Sequence, residues 1–406
     1  MEESQEIARR LEAASIDVIH AGAGCYESFD LSLPSAYMPD ACLSGMAAAI
    51  KEAVHIPVIA VGKITPENGE ALLESGRADF IATGRALVAD PDWPKKVRTN
   101  RRQDVRPCIR CNEYCTRLFS LKAMSCTVNP SVGKERYYKM DKTGTPKRVL
   151  VIGGGPSGME AARVATLRGH EVILVEKKAA LGGQLSAAAA PSFKKELRHL
   201  IRWWERQLDR LGVDIRLNVE VLPETVALMS PDAVVVATGA RSVIPDIPGI
   251  EGNNIIRVID YHLGRKPVGE HIVVAGGGMA ACDAALELAQ QGNQVTIVEM
   301  LSQVAGDVNM VNRSTLLCLL TEWGVMIIVN HKIKAFHDGG VMAEGPSGEV
   351  KIAADAVILA LGVCSEDHLA KTLKDRIDEI YVVGDCAKPS KVGEAVHGGF
   401  IAGYSV

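Results

Sequence analysis

Residues 147–177, KRVLVIGGGPSGMEAARVATLRGHEVILVEK, constrain the fold more than any other stretch of the chain. An apolar run ends in glycines, a helical pattern follows, and a second apolar run closes on an acid, Glu176. Gly153, Gly155 and Gly158 form GxGxxG: a tight turn, a close backbone approach to a ligand, and a close helix–strand contact. Free amides at the start of such a helix suit a pyrophosphate, and Glu176 stands where an acid bonds a ribose hydroxyl. The pattern recurs at 271–300, HIVVAGGGMAACDAALELAQQGNQVTIVEM, with Gly276, Gly278 and Ala281 as GxGxxA and Glu299 as the closing acid. Two fingerprints predict two nucleotides, one resident and one visiting. No arginine directly follows Glu299, which favours a free ribose hydroxyl and hence NADH over NADPH.

Just ahead of the first fingerprint, PCIRCNEYCTRLFSLKAMSC crowds together Cys108, Cys111, Cys115 and Cys126. This spacing supplies four thiolates from one loop, enough to ligate each iron corner of a [4Fe–4S] cluster. A tetrahedral four-thiolate zinc site is the alternative, although two short spacers followed by a long one look more like cluster ligation. The other cysteines, Cys25, Cys42, Cys282, Cys318, Cys364 and Cys386, show no pairing pattern, as in a reducing cytoplasm. Cys282 and Cys318 fall in helical stretches and are expected as small buried residues.

A net charge of -4 leaves no basic footprint, so nucleic acid is not an expected partner. The start, MEESQEIARRLEAAS, is acidic and amphipathic rather than leader-like, and no apolar run approaches membrane-spanning length. A cytoplasmic protein without membrane contact is expected. Helical and strand patterns alternate, predicting α/β layers with parallel sheets. In the first region, helices 4–14, 42–53 and 66–74 lead to the strands IDVIHAG, IPVIAVG and ADFIATG. Three such units are too few to close an eight-stranded barrel, so if this is barrel sequence it is only the last part. Residues 98–141 lose periodicity and read as a connector that carries the cysteines.

VVVATGA at 234–240, VILALGV at 357–363 and IYVVGDC at 380–386 follow the fingerprints in order. They resemble the marks of two-dinucleotide-binding flavoprotein reductases. That likeness implies FAD at the first fingerprint, the nicotinamide on an inserted second domain, and Gly384 and Asp385 closing on the flavin's ribityl–phosphate region. LGGQL, with Gly183 and Gln184, matches the FAD-side loop, and Gly239 ends a strand at the same site.

From about Ile16 onward the whole chain resembles the iron–sulfur flavoenzymes that include 2-enoate reductase, 2,4-dienoyl-CoA reductase and trimethylamine dehydrogenase. CIRCNEYC…SCTVNP matches their cluster loop, with a last spacer one residue shorter. The resemblance implies a C-terminal remnant of a (β/α)8 FMN barrel over 1–97, a [4Fe–4S] connector over 98–146, an FAD domain over 147–265 plus 355–406, and a nested NADH domain over 266–354. It implies FMN-phosphate contacts at Gly62, Lys63, Gly84 and Arg85. Tyr26 stands where dienoyl-CoA reductases have a catalytic histidine; it is read either as a proton or hydrogen-bond donor or as an aromatic wall of the pocket. The implied relay runs from NADH through FAD and the cluster to FMN, for reduction of an activated C=C bond in a small unsaturated substrate. The earlier barrel strands are not in this sequence. A C-terminal portion of a longer enzyme is therefore expected, with an incomplete FMN site, or a subunit completed by another chain or a second copy. The alternatives are an FAD/iron–sulfur electron-input subunit like the small subunit of glutamate synthase, and an inactive truncated product.

Overall fold

The computed structural model describes every residue except Tyr26, and the side chains of all but Leu118 and Phe119. Two five-stranded parallel sheets dominate it. The first runs in the order Ile380–Val382, Ala233–Val236, Arg148–Ile152, Glu171–Glu176 and Asp214–Leu217. Its central strands are buried along almost their whole length, which is why they read as continuous apolar runs rather than alternating ones. Helix Pro156–Leu167 covers one face, and helix Lys195–Leu211 packs beside it through Leu200, Trp204 and Leu208. That helix stops where Gly212 turns left-handed at φ 72°.

The second sheet runs Met326–Ile328, Gln294–Val298, His271–Ala275, Ala356–Leu359 and Ile255–Arg257. Two of these strands lie outside 266–354, one on each side. Ala356–Leu359 is buried at every position, so a sheet interior is the only environment that satisfies it. An antiparallel meander, Lys332–His337, Gly340–Gly345 and Gly348–Ala353, packs on this sheet through Phe336, Val341 and Ala343. The two chain crossings between the sheets run side by side, Ala240–Ser242 pairing antiparallel with Val363–Ser365. The second nucleotide unit is thus inserted within the first.

Residues before 98 form a smaller parallel sheet in chain order, Ile19–Ala21, Val58–Ala60 and Phe80–Ile81. Helices Glu2–Ala13, Ser44–Ala53 and Pro66–Glu74 lie close to the expected spans. The last of them starts on a capping box between Thr65 and Asn68. Neighbouring strands in strict sequence order, each preceded by a helix, repeat one unit without the reversal that marks a doubly wound sheet. The connector has only 3-10 turns, Arg102–Asp104 and Arg117–Ser120, before the first nucleotide sheet begins. Cys282 is fully buried as expected, but Cys318 is exposed, because it lies on the solvent side of helix Met310–Glu322. Among the described residues no helix is long and apolar enough to cross a membrane.

Candidate active site

The first glycine turn fixes its own geometry. Gly153 takes φ 108°, and a Cβ there would stand 2.3 Å from the Ala237 carbonyl oxygen. A Cβ on Gly158 would stand 1.9 Å from the Gly153 carbonyl, so this helix approaches the strand as closely as only glycine permits. Gly155 faces open space. Glu176 is buried and accepts from the Gly154 amide (2.7 Å) and the Lys178 amide (2.8 Å), which holds the strand end against the turn.

In front of this turn lies a cavity of about 1120 Å³. Gly153, Gly155, Glu176, Gly183, Gln184 and Gly239 line it, and Asp385 reaches it from the C-terminal part of the chain. Burial raises the Asp385 carboxyl above its ordinary value, against a hydrogen bond from the Ser390 amide (3.0 Å). Gly384 backs the site, its Cα so close to Ser157 that a Cβ would meet the hydroxyl at 2.1 Å. Gln184 is held by the Ala240 carbonyl.

The four cysteines of the connector all line one small second cavity, with Arg85 and Asn112. All are free thiols, and Cys111 lies 3.1 Å from the Thr127 hydroxyl. Burial pushes the Cys111 thiol up to about 12 and the Cys126 thiol up to about 11, and it raises Cys115 as well. Among the described residues no three or more His, Cys, Asp or Glu side chains are gathered tightly enough to hold a metal ion. A cluster is a cube whose thiolates stand apart around its corners, so four cysteines around a cavity match it better than they match a single zinc. The loop is pinned to the C-terminal helix Val392–Ser405: Tyr114 donates to Glu394 (2.6 Å), Lys391 donates to Glu113 (2.7 Å), and His397 meets the Cys126 carbonyl (2.8 Å). Ile109, Cys111 and Thr127 line both cavities, so a single layer of side chains separates them.

The second glycine turn repeats the first. Gly276 takes φ 104° with a Cβ position 2.5 Å from the Ala360 carbonyl, and Ala281 is buried where the first turn has Gly158. Glu299 is buried and accepts from the Leu301 amide at 2.7 Å. Met279 and Ala280 line the large cavity, while Gly276, Gly278, Ala281 and Glu299 do not. A buried trio ties this helix to the rest: Tyr37 donates to Asp283 (2.8 Å), and Lys194 lies 3.0 Å from the Tyr37 hydroxyl and 3.1 Å from Asp283. Burial first, then the charge of Asp283, raises the Tyr37 phenol well above its usual value.

The barrel-side residues are placed differently. Lys63, buried and left-handed at φ 50°, donates to the Ala36 (3.1 Å) and Met38 (2.5 Å) carbonyls and pairs with Glu196 at 3.1 Å. Arg85 donates to Asn112 beside the cysteines, and burial lowers its pKa. Gly62 turns at φ 106° against Leu43, and Gly84 has open space around it. Tyr26 lies outside the described residues. Local motifs could not point to Tyr37, Lys194 or His397. Asp283 and its counterpart Glu160 did leave a signal: acids at the same offset from the glycine turn in two largely apolar helices.

Comparison with known proteins agrees with this arrangement. The pyridine nucleotide-disulphide oxidoreductase model matches residues 80–226 and 147–399. The NADH:flavin oxidoreductase / NADH oxidase family model matches residues 6–104. The chain is 40% identical to NADH oxidase of Thermoanaerobacter brockii over 416 residues, covering 100% of this chain and 64% of the relative. It is 36% identical to cinnamate reductase of Clostridium sporogenes, over 97% of this chain and 60% of the relative. Among solved structures, 2-naphthoyl-CoA reductase complexed with 2-naphthoyl-CoA superposes with a TM-score of 0.94 at 33% identity, over 100% of this chain and 62% of that one. The chain therefore spans somewhat under two thirds of the length of these relatives. It belongs to the pyridine nucleotide-disulphide oxidoreductase and NADH:flavin oxidoreductase family that includes NADH oxidase, cinnamate reductase and 2-naphthoyl-CoA reductase.

Proposed function

We propose that this chain is the NADH-oxidising part of a flavin oxidoreductase, with FAD in the large cavity, NADH entering over the second glycine turn, and a [4Fe–4S] cluster held by Cys108, Cys111, Cys115 and Cys126. The shared wall of Ile109, Cys111 and Thr127 between the two cavities carries this reading. When bound, FAD supplies hydride acceptance from NADH and the cluster supplies one-electron transfer onward. The chain's own residues bind and orient. The Gly155 turn would offer helix-start amides to a pyrophosphate and Glu176 would take the ribose, with Asp385 and Gln184 lining the same cavity. Met279 and Ala280, at the start of the second helix, line the same cavity and would contact a coenzyme bound there. A metal held by these cysteines would displace protons from the Cys111 and Cys126 thiols, whose pKa values burial raises.

Of the FMN-phosphate residues expected from the resemblance, Lys63 does not fit that role as placed. It pairs with Glu196 and donates to two carbonyls, whereas Arg85 donates to the neutral Asn112 and keeps its positive charge. For the whole protein we propose reduction of an activated C=C bond of the 2-enoate type in a small unsaturated substrate, by kinship with cinnamate reductase. The setting proposed is the cytoplasm. The chain-ordered sheet before residue 98 is read as part of a (β/α)8 barrel.

Anaerobic reconstitution with iron, sulfide and FAD tests the assignment. About four irons and one flavin per chain are expected in the wild type, from the cluster's composition. Cys111→Ser should lose the iron and keep the FAD. Full iron content in Cys111→Ser, or an FAD-free chain after reconstitution, overturns the reading.

A further inference from the structure

The two glycine turns differ in one respect that their sequences conceal. At the first, the start of helix Pro156–Leu167 opens onto the cavity, and Gly155 has nothing within 4 Å of a Cβ position. At the second, the start of helix Met279–Gln290 already carries an anion from the chain itself. The Asp307 carboxylate accepts from the Met279 amide through both oxygens, at 3.0 and 3.2 Å, and lies 3.6–3.9 Å from a Cβ position on Gly278.

Asp307 does not arrive there by chance of a loose side chain. Its loop is fastened to the glycine turn, with the Ala305 amide donating to the Gly277 carbonyl at 2.6 Å. Val304, Ala305 and Val308 are buried in the core of the second sheet. Ala305 is held left-handed at φ 54°, a conformation that costs energy for a residue with a Cβ and persists only where the surroundings impose it. The Asp307 side chain itself is exposed and lines the large cavity, so it can swing away without unpacking the loop.

We infer that Asp307 is an affinity-setting residue for the nicotinamide dinucleotide: an internal anion that holds the pyrophosphate position when no coenzyme is bound and must be displaced by it. The inference rests on the assignment of NADH to the second turn. A helix start stabilises one negative group in its first turn, and two anions there repel. The carboxylate therefore competes with the pyrophosphate, keeps binding weak enough for release after each turnover, and leaves the helix capped in between. FAD meets no such competitor, which accounts for one resident and one exchanging nucleotide on two copies of the same fold.

The test is titration of the FAD-loaded chain with NAD⁺ and, separately, inorganic pyrophosphate, comparing wild type with Asp307→Asn and Asp307→Ala. Hydrogen exchange of residues 276–282 with and without NAD⁺ runs alongside, as do melting temperatures. Asp307→Asn removes the charge but keeps an acceptor for the Met279 amide, so it retains the cap should the alanine variant unfold. Both variants should bind NAD⁺ and pyrophosphate roughly ten-fold more tightly, the scale of one charge-assisted contact at a helix start. Unchanged or weaker binding, while NAD⁺ still protects 276–282 in the wild type, overturns the role of Asp307 alone. Absence of that protection in the wild type overturns the siting of the coenzyme and this inference with it.

Discussion

The two nucleotide units share a turn, a helix length and a closing acid, yet each buries the acid on its helix differently. In the first, Glu160 is fully buried and satisfied within its own unit, by Arg163 (2.6 and 2.9 Å) and the Trp204 indole (2.8 Å). In the second, Asp283 at the same offset reaches out to Tyr37 before residue 98 and to Lys194 in the other unit. The first helix is therefore closed on itself, and the second is docked.

The largest effect separating the two is expected at Glu160. Removing it in Glu160→Ala strands a buried guanidinium, and a loss of about 3–5 kcal/mol in urea unfolding is predicted, the scale for one partner of a buried ion pair. Burial by itself would raise the Glu160 pKa, but Arg163's charge and hydrogen bonds outweigh it and hold the carboxyl below its usual range. The folded value is depressed, so this stabilisation is complete above the ordinary glutamate range of about 4.3 and is lost as pH falls through the folded value. Acid unfolding of Glu160→Gln should accordingly be flatter with pH below that range than that of the wild type.

Next comes Gly158→Ala, which forces a methyl against the Gly153 carbonyl. About 2–4 kcal/mol of destabilisation and loss of most bound FAD are expected, as for other overpacked or strained backbone contacts. Retained flavin would mean that the close approach of helix to strand does not serve the nucleotide. Asp283→Asn is expected to cost less globally, about 1–3 kcal/mol, but to speed hydrogen exchange over both 279–290 and 35–40, whereas Glu160 variants leave 35–40 unaffected. Equal exchange in both would erase the distinction between closed and docked. The smallest change is Ala281→Gly, a helix-interior glycine that should lower stability by about 1 kcal/mol without improving NAD⁺ binding.

How much of this was legible in the sequence follows from distance along the chain. Gly153, Gly155, Glu176 and the connector's cysteines are local patterns that gather around the large cavity and the small one, whereas at the second turn Met279 and Ala280 line the large cavity and Gly276, Gly278 and Glu299 do not. The nesting was also legible, because strands ending in glycine recur in order after each fingerprint. The bounds 266–354 were narrower than the second sheet, since an outer strand such as Ile255–Arg257 joins by pairing rather than by any motif of its own. The resemblance puts Lys63 and Arg85 at an FMN phosphate, and a glycine–cation pair does not reveal that Lys63 meets Glu196 or that Arg85 donates to Asn112 elsewhere in the chain. The Tyr37–Asp283 bond joins residues 246 positions apart, and Asp307 reaches its helix from a loop with no fingerprint at all. The first of these is fixed by packing between units and the second by packing within one.

The central claim, that the two cavities form one electron path across the Cys111 wall, is tested most directly by mixing the anaerobic FAD- and iron-loaded chain with NADH. Flavin absorbance is then followed together with the low-temperature EPR signal of the cluster. The account predicts that the flavin bleaches and the cluster signal then appears, and that Cys111→Ser bleaches without any signal. A wild-type chain whose flavin bleaches while its cluster, reducible by dithionite, never takes an electron from NADH would contradict it.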